Sequence, residues 1–66
     1  MLKIRSFTLS GHRTSVALES EFWAAIDACA ARDGISLAAL VAKIDATRGT
    51  RALASALRLY ALAARQ

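Results

Sequence analysis

Residues 13 to 18 read Arg13-Thr14-Ser15-Val16-Ala17-Leu18 and run directly into Glu19-Ser20-Glu21-Phe22-Trp23. Strict alternation puts Thr14, Val16 and Leu18 on one face of an extended segment and Arg13, Ser15 and Ala17 on the other. The residues beyond Glu19 have helical spacing, so only a short strand is certain from this stretch. A lone strand cannot satisfy its own backbone donors and acceptors and must have a partner. That partner is either a second strand of the same chain or a strand of another copy.

Upstream, residues 2–9 (Leu-Lys-Ile-Arg-Ser-Phe-Thr-Leu) also alternate with period two, and Ser10-Gly11 is a turn signal. If Ser10 and Gly11 form a two-residue hairpin turn, Leu9 faces His12, Phe7 faces Thr14 and Arg5 faces Val16. Phe7 and Leu9 then join the inward face, while Ser6 and Thr8 join Arg13 and Ser15 outside. Arg5 is the misfit, because it must snorkel out at the edge. Residues 1–12 are read as this extra strand or, alternatively, as a loose N-terminal arm; the hairpin is favoured.

Downstream, the spacing predicts three helices. The first spans 20–33, with Ser20 or Glu19 at its cap, acids in its first turn and Gly34 ending it. Its apolar stripe is Trp23, Ile26, Cys29 and Ala30, flanked by Phe22. The second spans 36–46, opened by Ser36 as N-cap, and carries Leu37, Leu40, Val41 and Ile44. After a break at Gly49, the third spans 51–64 with Leu53, Leu57, Tyr60, Ala61 and Ala64 on one face. Leu59 and Leu62 form a second face, and a helix apolar on two faces needs two partners.

The whole chain is 66 residues, one small domain, yet it is 56% hydrophobic. A domain of this size is marginal alone, so oligomerisation is expected to help hide the apolar surface. Cys29 is the only cysteine, which excludes an intramolecular disulfide and a cysteine-rich metal site. Its simplest role is a small buried hydrophobe, in keeping with a cytoplasmic location. No signal peptide and no membrane-spanning run is evident.

Net charge is +4, and its distribution is uneven. Lys3, Arg5 and Arg13, with His12, lie at the start, and Arg48, Arg51, Arg58 and Arg65 lie at the end. All five acids (Glu19, Glu21, Asp27, Asp33 and Asp45) lie between them. Two basic ends around an acidic centre fit a polyanionic partner, although a simply solvated surface has the same composition. One histidine, one cysteine and scattered serines assemble no catalytic group, and no phosphate-cradling glycine motif occurs. An enzyme is not expected, nor is a cofactor or a metal.

The run Arg13-Thr-Ser-Val-Ala-Leu-Glu-Ser-Glu-Phe-Trp, followed by Ala30-Ala-Arg-Asp-Gly-Ile-Ser36-Leu-Ala-Ala-Leu-Val, resembles the ribbon-helix-helix family. Its most specific part is the Gly34-Ile35-Ser36 connection. The Gly-His-Arg-Thr-Ser opening, the Glu-Phe-Trp helix start and the Ser-Ala-Leu-Arg-Leu ending look like a subgroup of short bacterial members. The resemblance implies a mainly α fold with a short β-ribbon: an intertwined homodimer, or a higher oligomer, in which each protomer gives one strand, residues 13–18. The third helix and an extra N-terminal strand would be additions to that fold.

It further implies a DNA-binding repressor whose ribbon enters the major groove of double-stranded DNA. The family's base-facing positions fall on Arg13, Ser15 and Ala17. Arginine suits guanine and serine can exchange one hydrogen bond, but Ala17 can offer only a methyl contact to thymine. Phosphates would be held by Lys3, Arg5 and His12, and by Ser36 with the amides of Leu37 and Ala38 at a helix N-terminus. Val16, Leu18, Trp23, Ile26, Leu40, Val41 and Ile44 would form the dimer core. The alternative is a protein-interaction module, antitoxin-like or a scaffold, in which the fold serves dimerisation. The alanine- and leucine-rich last helix, unlike a polar tail, weighs against an antitoxin.

Overall fold

The computed structural model describes residues 1–65. The chain begins with two strands, β1 (Leu2–Leu9) and β2 (His12–Glu19). Three helices come after them: α1 (Ser20–Asp33), α2 (Leu37–Thr47) and α3 (Leu53–Ala64). β1 and β2 pair antiparallel, with Leu9 opposite His12, Phe7 opposite Thr14, Arg5 opposite Val16 and Ile4 opposite Ala17. The partner strand therefore comes from the same chain, and one copy suffices to close the ribbon. The connecting Ser10 and Gly11 have φ of 51° and 80°. Positive φ at both central residues is the type I′ geometry, whose twist matches that of the strands it joins.

The inward face of the ribbon lies on the helices. Phe7, Leu9, Val16 and Leu18 are buried with Trp23, Ile26, Cys29 and Ala30 of α1, Leu40, Val41 and Ile44 of α2, and Leu53, Ala56, Leu57 and Ala61 of α3. The α1 stripe occupies successive turns of one helix face, the pattern that drives a helix onto a sheet. Gly34, at φ 69°, ends α1 in the left-handed conformation, its amide bonded to Ala30 O and Ala31 O. The Ile35 amide returns to Ala30 O at 3.0 Å. These bonds satisfy carbonyls that the helix end would otherwise leave open. Ser36 Oγ accepts from the Ala39 amide at 3.0 Å and caps α2.

Two features differ from expectation. The seven residues assigned to a dimer core are all buried within a single chain. The intramolecular hairpin supplies the missing layer, so no second copy is needed to cover them. Glu19, one of the two residues expected at the cap, is the N-cap of α1, without a side-chain cap bond; its carboxylate is held instead by Arg58 Nε at 3.0 Å. The third helix starts at Leu53 rather than 51: the Arg51 amide bonds Arg48 O at 3.2 Å, and Arg48 Nη1 donates to Arg51 O at 2.6 Å. Those bonds hold residues 48–51 in a turn. The second face of α3 exists, with Leu59 and Leu62 about half exposed. Among the described residues no helix is long and apolar enough to cross a membrane.

Candidate functional site

Period two sends every second side chain of the hairpin away from the core, and these form one exposed face. The register organises that face into rungs. Thr8 lies opposite Arg13, Ser6 opposite Ser15, Ile4 opposite Ala17 and Leu2 opposite Glu19. Nearest the turn, Arg13 Nη1 donates to Thr8 Oγ1 at 3.4 Å, a long and weak bond. At the next rung the hydroxyls of Ser6 and Ser15 are 2.9 Å apart and share a hydrogen. Arg13 makes no ion pair among the described residues, so its guanidinium remains available to an incoming acceptor.

Among the described residues the only acid on this face is Glu19, at the end away from the turn. Arg58 of α3 holds it, with the guanidinium also 5.8 Å from the Phe22 ring. Its carboxyl is held below the ordinary value of 4.5, first by a bond from its own backbone amide and then by Arg58. The three rungs nearer the turn thus carry one free cation, three hydroxyls and no carboxylate. Such a face can donate to base-edge or phosphate acceptors without internal repulsion of a polyanion.

The other anticipated contacts divide. Ser36, Leu37 and Ala38 sit at the start of α2, and the amides of Leu37 and Ala38 have no backbone or side-chain partner among the described residues. That end keeps the capacity to meet an anion. His12 beside the turn and Lys3 toward the opposite end of the ladder are both exposed. By register, however, they lie opposite the buried Leu9 and Leu18, at the two ends of the ribbon rather than on its outward rungs. Arg5 is not available in the same way. It belongs to the inward-pointing set, its guanidinium lies 4.9 Å from the Trp23 ring, and Nη1 donates to Asp27 at 3.0 and 3.2 Å. An arginine opposite Val16 has to escape along the sheet, and Trp23 with Asp27 gives it a path. Trp23 is itself locked by its indole N–H donating to Lys3 O at 2.8 Å.

Ser6, Thr8 and Ile4 were absent from the anticipated site. Their signal was the hairpin register, which puts them beside Arg13, Ser15 and Ala17. The ribbon-helix-helix domain model matches residues 2–64, so both strands and all three helices lie inside the match. Neither a curated protein nor a solved structure matches the chain.

Proposed function

The chain belongs to the ribbon-helix-helix family, and from that premise we propose that it is a homodimeric transcriptional regulator whose β1–β2 ribbon enters the DNA major groove. Members of the family are generally DNA-binding regulators or antitoxins, and they typically dimerise. The observation that carries the reading is the exposed face bearing Arg13, Thr8, Ser6 and Ser15, free of acid until Glu19.

Width supports the hairpin of one protomer as the reading unit. Strands lie about 4.8 Å apart, so a two-stranded ribbon fits a groove about 12 Å wide. Four strands joined along β2 would span about 14 Å between the outer backbones alone. A dimer then carries two ribbons, suited to half-sites about one helical turn apart. Arg13 reads guanine through its fork, Ser15 and its β1 neighbours exchange single hydrogen bonds, and the Leu37 and Ala38 amides with Lys3 and His12 meet phosphates.

The test is fluorescence anisotropy of a labelled random duplex titrated with protein across a salt series. Binding is expected at low ionic strength, with log affinity falling linearly against log salt. A flat response, or no binding, would sink the DNA reading. The protein-interaction alternative draws on the half-exposed Leu59 and Leu62 of α3, and partners that survive nuclease treatment in a pull-down would favour it.

A further inference from the structure

The outward face of the ribbon changes character along its length. The two rungs nearest the turn are polar. The next is Ile4 opposite Ala17, with Ile4 71% exposed, and Leu2 beyond it is half exposed. A large β-branched side chain left in water on a strand is a liability, since exposed apolar strands recruit other surfaces. Its neighbours on the same face are the hydroxyls and the arginine assigned above to DNA.

Resting on that reading, we propose that β1 reads DNA together with β2, and that Ile4 with Ala17 forms an apolar contact for the C5-methyl group of thymine. The thymine methyl is the apolar feature of base edges in the major groove, so an aliphatic side chain that enters beside Arg13 has one good partner there. Ala17 is suited to this role by what it lacks. The Ile4–Ala17 rung pairs a tall side chain with a short one, which leaves space beside Ile4 at the level of the ribbon. A polar residue at position 17 would fill that space with a group needing its own hydrogen bond.

Spacing makes the inference specific. Successive outward residues on a strand are about 6.8 Å apart, close to two base-pair steps of about 3.4 Å. The Thr8–Arg13 rung and the Ile4–Ala17 rung are two such intervals apart, about 14 Å. Because the groove runs oblique to the axis along which base pairs rise about 3.4 Å, that length spans at most about four base pairs. The preferred half-site therefore has guanine and thymine no more than about four base pairs apart.

The experiment begins with selection of bound fragments from random duplex DNA. The selected duplex is then compared with one in which deoxyuridine replaces thymidine, removing the methyl alone. The dissociation constant should rise about fourfold for each thymine methyl removed from beneath Ile4. Ile4→Ser should bind the thymidine duplex more weakly by a similar factor and no longer distinguish the two duplexes. Arg13→Ala should bind both more weakly yet keep the distinction. Ile4 is exposed enough for the serine variant to fold, which a thermal melt verifies. Equal binding of both duplexes by the unaltered protein would overturn the methyl contact while leaving DNA binding intact. A distinction that survives in Ile4→Ser would also overturn it. If Ile4→Ser instead lowers the sedimenting mass and leaves discrimination unchanged, the rung joins copies of the chain and the inference fails. Absence of binding to either duplex would remove the DNA reading and this inference with it.

Discussion

The two faces of the hairpin are built from alternate residues of the same strands, yet they have opposite surroundings. Inward, Phe7, Leu9, Val16 and Leu18 are enclosed by three helices. Outward, Thr8, Arg13, Ser6, Ser15 and Ile4 are exposed. Neighbours only about 3.4 Å apart along the backbone therefore act on different quantities, one set on folding and the other on recognition. A ribbon with this division can change its outer side chains with little effect on the core. It tolerates no slip of register, because a shift of one residue would exchange the two faces.

The largest expected effect is on the inward face. Leu18 is fully enclosed, and Leu18→Ala should destabilise the protein by about 2–5 kcal/mol, seen as a lower urea midpoint. For a chain this small that is a large share of total stability. A loss under about 0.5 kcal/mol, the range of surface substitutions, would show that Leu18 is not packed as described. Arg13→Ala is the matched change outside. It should weaken binding to the selected duplex by about 1–3 kcal/mol and leave the thermal midpoint almost unmoved. Equal effects of the two variants on stability would erase the distinction between the faces.

Much of this division is legible in the sequence because it depends on local rules. Period two assigns the faces, and a two-residue turn at Ser10-Gly11 fixes which residues lie opposite one another. The Trp23-Ile26-Cys29-Ala30 stripe comes from the helical period in the same way. The features that escaped have a different physical origin. Arg5 meets Asp27 across 22 positions and Arg58 meets Glu19 across 39. No periodicity encodes such meetings, which depend on how the helices settle against the sheet. The outward residues of β1 escaped for another reason: family positions point to β2, and β1 enters the site only through the ladder. The oversupply of apolar residues was legible, but its destination was not, because an in-chain hairpin covers residues that a shared dimer core would also cover.

Arg5 is the exception on the inward face, and its energetics sharpen the comparison. Its side chain and that of Asp27 are 40% and 46% exposed, so solvent screens the pair. A double-mutant cycle with Arg5→Ala and Asp27→Ala should give a coupling of about 0.2–1 kcal/mol. The Arg5 single variant should lose slightly more than the pair, because the guanidinium also lies over Trp23. A coupling of several kcal/mol would mean that the charged edge contributes as much as the apolar interior, contrary to the division drawn above.

Glu19 closes the outward face at its junction with α1 and gives the smallest effect. Its carboxyl titrates below its ordinary value of 4.5 in the folded chain, through its own backbone amide and then Arg58. A lowered folded-state pKa means that the unfolded chain binds the proton more readily. The resulting stabilisation is fully present above the unfolded value and is lost as pH falls through the folded one. Thermal melts should therefore show a falling midpoint as pH drops below about 4.5, and Glu19→Gln should remove part of that slope while matching the unaltered protein more closely at the acid end. Arg58→Met should remove less of it, since the backbone amide bond would remain. If Glu19→Gln left the acid slope unchanged, the link from α3 to the end of the ribbon would hold no charge-dependent stability. The outward face would then be independent of the helices along its whole length.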